Sequence, residues 1–227
     1  MSHHTQSEWT AILQKMELLW YHDGNPKRPH ALLTSGGHSS GFFNAGKFLF
    51  DHPRLARQLA EDLKDLLETL QEHACTDSRK PTKTLGPAFG AITWASNLAD
   101  AFNIGCAFTV PYGEGVNKQF QLEKRFRIVG DLVLPVEDVI TTGDSIQKTL
   151  DVASSNGAEI SSVIAAICNR SGLNEIGGRP IVAMITIPMK NWKEEDCPFC
   201  KAGSKAIRPK DAGNWSLLSK PYPQTKN

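Results

Sequence analysis

The sequence has little cysteine, almost no excess of charge of either sign, and no long apolar run. Its five cysteines are an odd number in 227 residues, and a chain of this length needs no disulfide framework, which predicts reduced thiols. The 25 Lys and Arg residues nearly balance the 24 Asp and Glu residues, so the net charge provides no attraction to nucleic acid. No apolar run reaches the ~18 residues of a membrane span, and the first residues lack the pattern of a signal peptide. We therefore expect a cytoplasmic protein that binds neither nucleic acid nor membranes.

What the sequence does contain is the composition and element order of an α/β domain. Hydrophobic residues make up 40% and charged residues 22%, which is typical of globular proteins. From residue 82 onward, short apolar segments alternate with helical patterns, and this alternation predicts a mostly parallel sheet flanked by helices. We expect one domain over residues 1–210, with its core sheet in 82–190, and a weakly structured tail over 211–227.

Two helical patterns precede the alternating region. Apolar residues from Trp9 to Trp20 recur at three- and four-residue spacing, which predicts an amphipathic helix that ends before Asp23. A second helix is predicted to open at about Pro53. It carries a stripe of leucines, namely Leu55, Leu59, Leu63, Leu66 and Leu70.

The most informative stretch is a predicted strand and the loop that follows it. The apolar residues 132–136 run into Glu137 and Asp138, and a loop of hydroxyl residues and glycine then opens a helix. The carboxyl ends of parallel strands are where open α/β sheets bind ligands. The backbone N–H groups of residues 142–145, at the positive end of the helix, suit a phosphate dianion. The two acids would repel that phosphate, so we expect them to contact ribose hydroxyls or waters on Mg²⁺.

This stretch resembles the motif that binds 5-phosphoribosyl 1-diphosphate (PRPP) in type I phosphoribosyltransferases. That motif has four apolar residues, two acids, two apolar residues and a Thr-Gly loop, which here occupy residues 133–145. The resemblance implies that PRPP is bound by Glu137, Asp138, Thr141, Thr142, Gly143, Asp144 and Ser145. It also implies the fold of that family, a mostly parallel central sheet flanked by helices, with a small N-terminal hood over residues 1–50 and a flexible flap.

Other segments resemble the orotate phosphoribosyltransferases within this family. Residues 34–46 are similar to their base-recognition segment and residues 85–92 to their diphosphate loop. Residues 168–172 and 195–203 are similar to segments of a bacterial and archaeal branch that has a C-terminal Cys-Pro-x-Cys. The resemblance spans roughly residues 30–210, and it implies further PRPP contacts by Ala88, Phe89 and Gly90.

Four residues are candidates for binding the base. Relatives that use purines have Asp after the residue equivalent to Ile140, whereas this chain has Thr141, which cannot act as a base near neutral pH. An acidic pyrimidine such as orotate arrives deprotonated and needs no such base. Arg170 aligns with the arginine that holds the orotate carboxylate, a suitable partner for a planar two-oxygen anion; the alternative is a surface arginine in a turn. Phe42 and Phe43 are candidate walls for the ring, or else ordinary core residues.

The resemblance implies Mg²⁺-dependent transfer of the phosphoribosyl group from PRPP to orotate, giving orotidine 5′-monophosphate and diphosphate in pyrimidine biosynthesis. Displacement at the ribose depends on positioning and electrostatics, with Mg²⁺ held through PRPP and waters near Glu137 and Asp138. The polar residues 111–126 are the expected flap, and Lys118 and Arg125 are its candidate catalytic cations. In the family this loop often reaches a neighbouring subunit's site, which implies a homodimer.

The start of the expected flap differs from the family pattern. Residues 109–115 contain no Arg or Lys, whereas the family has a basic cluster there, and one charge-assisted contact in a catalytic site can be worth ~10²-fold in rate. Two alternatives therefore stay open. One is transfer to another base, and the other is a non-catalytic, regulatory PRPP-binding protein.

Three further residue types have competing interpretations. Cys197 and Cys200 form a single C-x-x-C with no histidine pair after it, which favours a tight turn over structural zinc, the alternative being zinc shared across a dimer. His38 is either a substrate contact or a structural hydrogen-bonding residue. Pro135 would remove a hydrogen-bond donor inside a central strand, and a local bulge is the one explanation the sequence offers.

Overall fold

The chain folds around a mostly parallel sheet. The computed structural model describes residues 3–73, 79–113 and 119–222. The helices are α1 (Gln6–Lys15), α2 (Ala45–Asp51), α3 (Pro53–His73), α4 (Gly90–Phe102), α5 (Asp144–Ser155), α6 (Pro198–Lys201) and α7 (Asn214–Ser219). The strands are β1 (Leu19–Tyr21), β2 (His30–Leu32), β3 (His38–Ser39), β4 (Gly41–Phe43), β5 (Lys83–Pro87), β6 (Gly105–Tyr112), β7 (Gln119–Leu122), β8 (Leu132–Ile140), β9 (Glu159–Ile160), β10 (Ile164–Asn169), β11 (Glu175–Ile176), β12 (Arg179–Thr186), β13 (Asn191–Trp192) and β14 (Ala206–Ile207).

These elements form two compact units. The core unit comprises Met1–Trp9 and Ala45–Ile187, and the small unit comprises Thr10–Asn44 and Pro188–Asn227. Residues 1–210, predicted to form one domain, contribute to both units, and the small unit takes strands from both ends of the sequence. Of the described helices, none combines the length and the hydropathy of a membrane-spanning segment.

The sheet of the core unit has the strand order β11-β12-β10-β8-β5-β6-β7, with β9 also paired to β8. Strands β12, β10, β8, β5 and β6 are parallel, while β11 and β7 are antiparallel at the two edges. The connection from β5 through α4 leads to β6, toward one edge of the sheet. The connection from β8 through α5 leads to β9 and β10, toward the opposite edge. Because such crossovers are right-handed, α4 and α5 cover opposite faces. The predicted α/β architecture is confirmed.

Helix α3 confirms the helix predicted from the leucine stripe. The buried apolar residues among its described side chains are Ala56, Leu59, Ala60, Leu63 and Leu67. Leu70, at the end of the predicted stripe, is 41% exposed. The apolar face therefore follows the 3.6-residue period of the helix and turns away from Leu70.

The helix predicted up to Trp20 is too long. Helix α1 ends at Lys15, and Glu17 has a φ of 58°, a left-handed conformation that ends a helix. Trp20 then lies in β1, aligned with Phe42 of the antiparallel strand β4. The three- and four-residue spacing continues past the end of the helix because apolar strand residues follow it without a polar break.

Strand β8 is longer than the predicted strand, which ends at residue 136. It continues to Ile140, so that Glu137 and Asp138 lie within the strand. Glu137 is aligned with Ala166 and Val139 with Cys168 of β10. The two acids are therefore fixed by sheet pairing, and the loop begins only at residue 141.

Pro135 lies inside β8 at a place where its missing N–H group costs no ladder bond. The carbonyl of Val133 accepts a hydrogen bond from the Ser161 N–H at 2.9 Å, and Glu137 is aligned with β10. Backbone groups alternate in direction along a strand, so Pro135 faces residues 161–163, between β9 and β10. Strand pairing is interrupted at residues 161–163, opposite Pro135, so the proline can lie in β8 without a bulge in that strand.

The small unit has two small sheets, the pair β1-β4 and a four-stranded sheet with the order β13-β3-β2-β14. Strand β13 pairs with β3, and β14 pairs in parallel with β2. The hood predicted from residues 1–50 alone therefore includes a C-terminal segment.

The predicted tail over residues 211–227 is structured where it is described. Helix α7 lies within it, and Leu218 is fully buried. The Trp20 indole N–H donates to the Leu218 carbonyl at 3.0 Å, and Trp215 and Leu218 pack with Trp20 and Ile207. The Lys, Pro and Gly content of the tail predicts weak structure, but the packing of Trp215 and Leu218 orders this part of the chain. Residues 223–227 lie outside the described part.

Candidate active site

The loop after β8 forms a cleft at the carboxyl edge of the core sheet. The cleft has a volume of about 210 Å³. It is lined by Glu137, Val139, Ile140, Thr141, Thr142, Gly143, Ser145 and Ile146. The structure thus brings five of the seven predicted motif residues together around one opening. The other two are Asp138, which follows Glu137 in the sequence, and Asp144, which is the first residue of α5.

The backbone of this loop presents N–H groups at the positive end of α5. Gly143 has a φ of 88°, which suits glycine. The Gln147 N–H donates to the Gly143 carbonyl at 2.9 Å, and the Asp144 N–H makes a long contact of 3.4 Å with Thr142 Oγ1. Within the described residues, the N–H groups of Thr142, Gly143 and Ser145 have no protein acceptor. Such groups at a helix N-terminus are suited to bind an anion.

Glu137 is a buried acid in this cleft. Its residue surface is 8% exposed. Burial raises the pKa of Glu137 well above its usual range, and the charge of the neighbouring Asp138 raises it further. Two carboxyl groups this close favour a ligand that brings hydroxyl donors or a cation.

Asp138 lies against the loop between β5 and α4. A Cβ atom placed on Gly90 would be 2.8 Å from Oδ2 of Asp138. The Ala88 N–H donates to the Thr109 carbonyl at 2.7 Å, and Phe89 is 79% exposed. Gly90, one of the three PRPP contacts predicted within the diphosphate loop of residues 85–92, is therefore beside one of the two predicted ribose-binding acids.

Arg170 follows β10 at the same edge of the sheet. Its N–H donates to the Ile140 carbonyl at 3.0 Å, which places Arg170 next to Thr141. Arg170 is 5% exposed, and burial lowers the pKa of its guanidinium. The structure thus brings together two of the four predicted base-binding residues, and a buried arginine is not the surface residue of the alternative interpretation.

Asn169 is a residue that the sequence interpretation did not single out. Its Oδ1 accepts hydrogen bonds from the N–H and hydroxyl groups of Ser171, at 3.1 and 2.7 Å. Its Nδ2 donates to the Leu173 carbonyl at 2.8 Å. Asn169 therefore fixes the turn that carries Arg170. The signal in the sequence was the Asn-x-Ser spacing typical of an Asx turn.

Phe42 and Phe43 belong to the small unit and differ in their surroundings. Phe43 is 6% exposed and paired with Leu19 across β1 and β4, so the core interpretation applies to it. Phe42 lines a cavity of about 490 Å³. The other residues around that cavity are Leu32, Thr34, Arg208, Pro209, Lys210 and Asp211.

The structure does not bring Arg125 to the cleft. The Glu123 N–H donates to the Phe108 carbonyl at 3.1 Å, and Arg125 Nε donates to the Glu123 carboxylate at 2.9 Å. The ammonium of Lys83, the first residue of β5, donates to the Arg127 carbonyl at 3.1 Å. Residues 123–127 therefore lie toward the amino-terminal edge of the sheet. The antiparallel strand β7 thus carries the chain away from the acids, and the catalytic role of Arg125 stays a prediction.

The other predicted catalytic cation, Lys118, lies outside the described residues. Strand β6 pairs with β7 from Thr109 and Leu122 up to Tyr112 and Gln119. The described part of the predicted flap is therefore a β-hairpin whose ends are fixed to the sheet.

Comparison with known proteins identifies the family. No protein-family model matches the chain. The orotate phosphoribosyltransferase of Heliobacterium modesticaldum is 32% identical over 181 residues, which cover 79% of this chain and 88% of that protein. That of Caldicellulosiruptor bescii is also 32% identical, over 79% of this chain and 87% of that protein. The chain belongs to the orotate phosphoribosyltransferase family.

Solved structures agree with this assignment. The crystal structure of orotate phosphoribosyltransferase from Aeropyrum pernix has a TM-score of 0.56 and 26% identity, covering 78% of this chain and 92% of that chain. A phosphoribosyltransferase from Corynebacterium diphtheriae has a TM-score of 0.55 and 19% identity, over 80% of this chain and 95% of that chain; this second likeness concerns the fold alone. The predicted resemblance to type I phosphoribosyltransferases is confirmed.

Proposed function

We propose that this protein transfers the phosphoribosyl group of PRPP to orotate, giving orotidine 5′-monophosphate and diphosphate. The observation that carries the proposal is the cleft in which Glu137 and the loop of residues 141–145 meet at the carboxyl edge of the sheet. Membership of the orotate phosphoribosyltransferase family supports the choice of reaction.

The cleft would hold PRPP by its two ends. The N–H groups of Thr142, Gly143 and Ser145 would bind the 5′-phosphate at the positive end of α5. Glu137 and Asp138 would accept hydrogen bonds from the ribose hydroxyls. Residues 88–90, of which Gly90 lies against Asp138, would bind the diphosphate.

Orotate would bind near Thr141 and Arg170. A guanidinium donates two parallel hydrogen bonds to a carboxylate, and the burial of Arg170 strengthens such a contact by excluding water. Thr141 supplies no general base, which agrees with a substrate whose ring nitrogen is already deprotonated. The reaction would then form the bond between that nitrogen and ribose C1 while diphosphate leaves.

Magnesium is the proposed cofactor. The chemistry of the residues fits a hard cation, because two neighbouring carboxyl groups are oxygen donors. A positive charge nearby would offset the burial and the Asp138 charge that raise the pKa of Glu137. Bound Mg²⁺ would neutralise the charge of the leaving diphosphate. Glu137 and Asp138 would hold it indirectly, through PRPP and waters.

A cytoplasmic homodimer is also proposed, on the strength of the family resemblance. Analytical ultracentrifugation of the purified protein tests the assembly, with a dimeric mass as the expected result. A monomer at all concentrations would overturn that part of the proposal.

The decisive experiment follows the absorbance of orotate in the presence of the protein, PRPP and Mg²⁺. We expect absorbance loss that requires all three components, and no reaction when uracil or adenine replaces orotate. Arg170→Gln is expected to raise the KM for orotate by roughly 10- to 100-fold, the worth of a charge-assisted hydrogen bond, with a smaller change in the KM for PRPP. Arg54→Gln, in α3, is the matched control. Turnover of another base instead of orotate would overturn the substrate assignment.

A second candidate function is PRPP binding without catalysis. It is favoured by the position of Arg125, which leaves the described part of the hairpin without a cation directed at the cleft. Calorimetric titration with PRPP separates the two functions. Saturable binding without orotate turnover would support the regulatory protein and contradict the enzyme.

A further inference from the structure

Four side chains with metal-ligand chemistry meet inside the small unit. They are His30, His38, Cys197 and Cys200, and their potential ligand atoms all lie within 4.8 Å of one another. The sequence contains no histidine pair after the C-x-x-C, whereas both of these histidines precede it by more than 150 residues. The sequence favours a tight turn because no histidine pair follows the motif, whereas the structure brings two earlier histidines to the thiols.

Two of the four ligand-to-ligand distances lie in the range for a tetrahedral zinc ion, and the other two are shorter than that range. His30 Nε2 is 2.9 Å from His38 Nδ1 and 3.5 Å from Cys197 Sγ. Cys200 Sγ is 3.6 Å from His30 Nε2 and 3.2 Å from His38 Nδ1. Zinc bonds of about 2.0–2.1 Å to nitrogen and about 2.3 Å to sulfur place tetrahedral ligand atoms about 3.3–3.8 Å apart. Small adjustments of the side chains would therefore complete the coordination shell.

One hydrogen-bond chain fixes which nitrogen of His30 faces the cluster. The Ser204 hydroxyl donates its single proton to the Arg28 carbonyl at 2.6 Å. It must therefore accept from His30 Nδ1, which lies 2.8 Å away. His30 Nδ1 carries the proton, and the lone pair of Nε2 points toward the two thiols and His38. Such an outer partner is what orients a metal-binding histidine.

The backbone holds both pairs of ligands in place. His30 lies in β2 and His38 in β3, and these strands are antiparallel neighbours, with Leu32 aligned with His38. Residues two apart on a strand share a face, so both histidines project from the same side of the sheet. The segment that carries the cysteines is fixed at both ends, because β13 pairs with β3 and β14 pairs with β2.

The cysteines lie on a turn of regular geometry. The Lys201 N–H donates to the Cys197 carbonyl at 3.1 Å, and the Gly203 N–H donates to the Cys200 carbonyl at 2.9 Å. Gly203 has a φ of 84°. Cys197 and both histidines are buried, and Cys200 is half-buried. Thiols are weak hydrogen-bonding groups, so these buried thiols and imidazoles satisfy one another poorly by hydrogen bonds. The same groups are suitable ligands for a shared metal ion.

We propose that His30, His38, Cys197 and Cys200 bind one Zn²⁺ ion in a structural site. Two nitrogen and two sulfur ligands in a tetrahedral arrangement are typical of zinc. Four protein ligands leave no open position, so the ion would take no part in the transfer reaction. It would instead join the N-terminal and C-terminal segments that together make the small unit. The site is independent of the proposed activity.

The first test measures metal in the unaltered protein. After expression in zinc-supplemented medium, elemental analysis should find one zinc per chain. X-ray absorption should show two nitrogen and two sulfur neighbours at about 2.0–2.1 and 2.3 Å. Reduced, metal-stripped protein should develop the intense visible absorption of tetrahedral Co²⁺ when cobalt is added. Absence of stoichiometric zinc together with no such cobalt spectrum would overturn the proposal.

Variants locate the ion. Cys197→Ser and Cys200→Ser should lose stoichiometric zinc, while Cys106→Ser, in the core unit, should retain it. Ser204→Ala keeps all four ligands, and we expect roughly 10- to 100-fold weaker zinc binding in competition with a chelator; Ser216→Ala in α7 is its control. Zinc bound equally well by Cys200→Ser would place the ion elsewhere and overturn the assignment.

Discussion

Gly90 lies so close to Asp138 that a Cβ atom added to the glycine would be 2.8 Å from the carboxylate Oδ2. This contact joins the loop after β5 to the acidic end of β8, two segments 48 positions apart in the sequence. Any side chain at Gly90 must displace one of the two acids. The absence of a side chain at Gly90 therefore leaves room for Asp138 in the proposed PRPP site.

Gly90→Ala is expected to lower kcat/KM by roughly 10- to 100-fold, because displacement of about 1 Å in a catalytic site has an effect of this size. The measurement is steady-state kinetics with PRPP as the varied substrate. Gly178→Ala, in the turn before β12 and outside every predicted binding segment, is the control, since a Cβ there meets nothing within 4 Å. Unchanged kinetics in Gly90→Ala would show that the position of Asp138 is unimportant.

Gly143 should be intolerant of a side chain for two reasons. Its φ is 88°, and a Cβ would lie 2.9 Å from Ile176 Cδ1. Gly130 has a φ of 75° with nothing within 4 Å of its Cβ position, so it isolates the effect of the backbone. We expect Gly130→Ala to reduce the free energy of unfolding by about 1–2 kcal/mol, and Gly143→Ala by about 1–3 kcal/mol more because of overpacking. Chemical denaturation measures both, and equal losses would contradict the contact with Ile176.

The buried acid Glu137 should make stability depend on pH. Its pKa is raised in the folded chain by burial and by Asp138, so the unfolded chain loses this proton at lower pH. Above the ordinary pKa of 4.5 the unfolded state binds fewer protons than the folded state. The contribution of Glu137 to the free energy of unfolding is therefore fully present below that pH and falls as the pH rises through the raised value.

Glu137→Gln removes this titration. We expect the variant to be more stable than the unaltered protein at pH 8, with a difference that shrinks toward pH 5, while PRPP binding weakens by at least about tenfold. Thermal denaturation across this pH range is the measurement, and Glu61→Gln, exposed on α3, is the control. A difference independent of pH would mean that Glu137 is ionised in the folded protein.

Arg125→Ala tests the predicted catalytic role of that residue. Arg125 is hydrogen-bonded to Glu123, and the neighbouring Arg127 carbonyl contacts Lys83 at the amino-terminal end of β5. We expect kcat/KM to change by less than about twofold, the behaviour of surface residues away from a site. A loss of tenfold or more would support the prediction that Arg125 is a catalytic cation of the flap.

The sequence predicts those parts of the fold that have a local signal. Strand β8, the loop after it and the leucine face of α3 follow from hydrophobic period and from the Thr-Gly loop. Trp20 is different, because its spacing from Trp9 suits both a continuous helix and a helix followed by a strand. All of these features are predicted from residues that are near in the sequence. For Trp20, such local patterns do not distinguish a helix from a strand.

The parts that the sequence does not predict depend on pairing between distant segments. Arg125 follows an antiparallel strand whose direction no local pattern records. His30 and Cys197 meet because β14 pairs with β2, an event that composition and spacing do not specify. Pro135 is acceptable only because a neighbouring strand is interrupted beside it. Tertiary pairing decides each of these cases.

Binding of PRPP by the carboxyl end of β8 and the loop after it is the central claim. Calorimetric titration of Mg²⁺ and PRPP into the unaltered protein and into the Asp138→Asn and Glu137→Gln variants tests it most directly. We expect one saturable site per chain in the unaltered protein and at least about tenfold weaker binding in each variant, the worth of a lost hydrogen bond to a charged group. Equal affinity in all three proteins, or no binding by the unaltered protein, would contradict it.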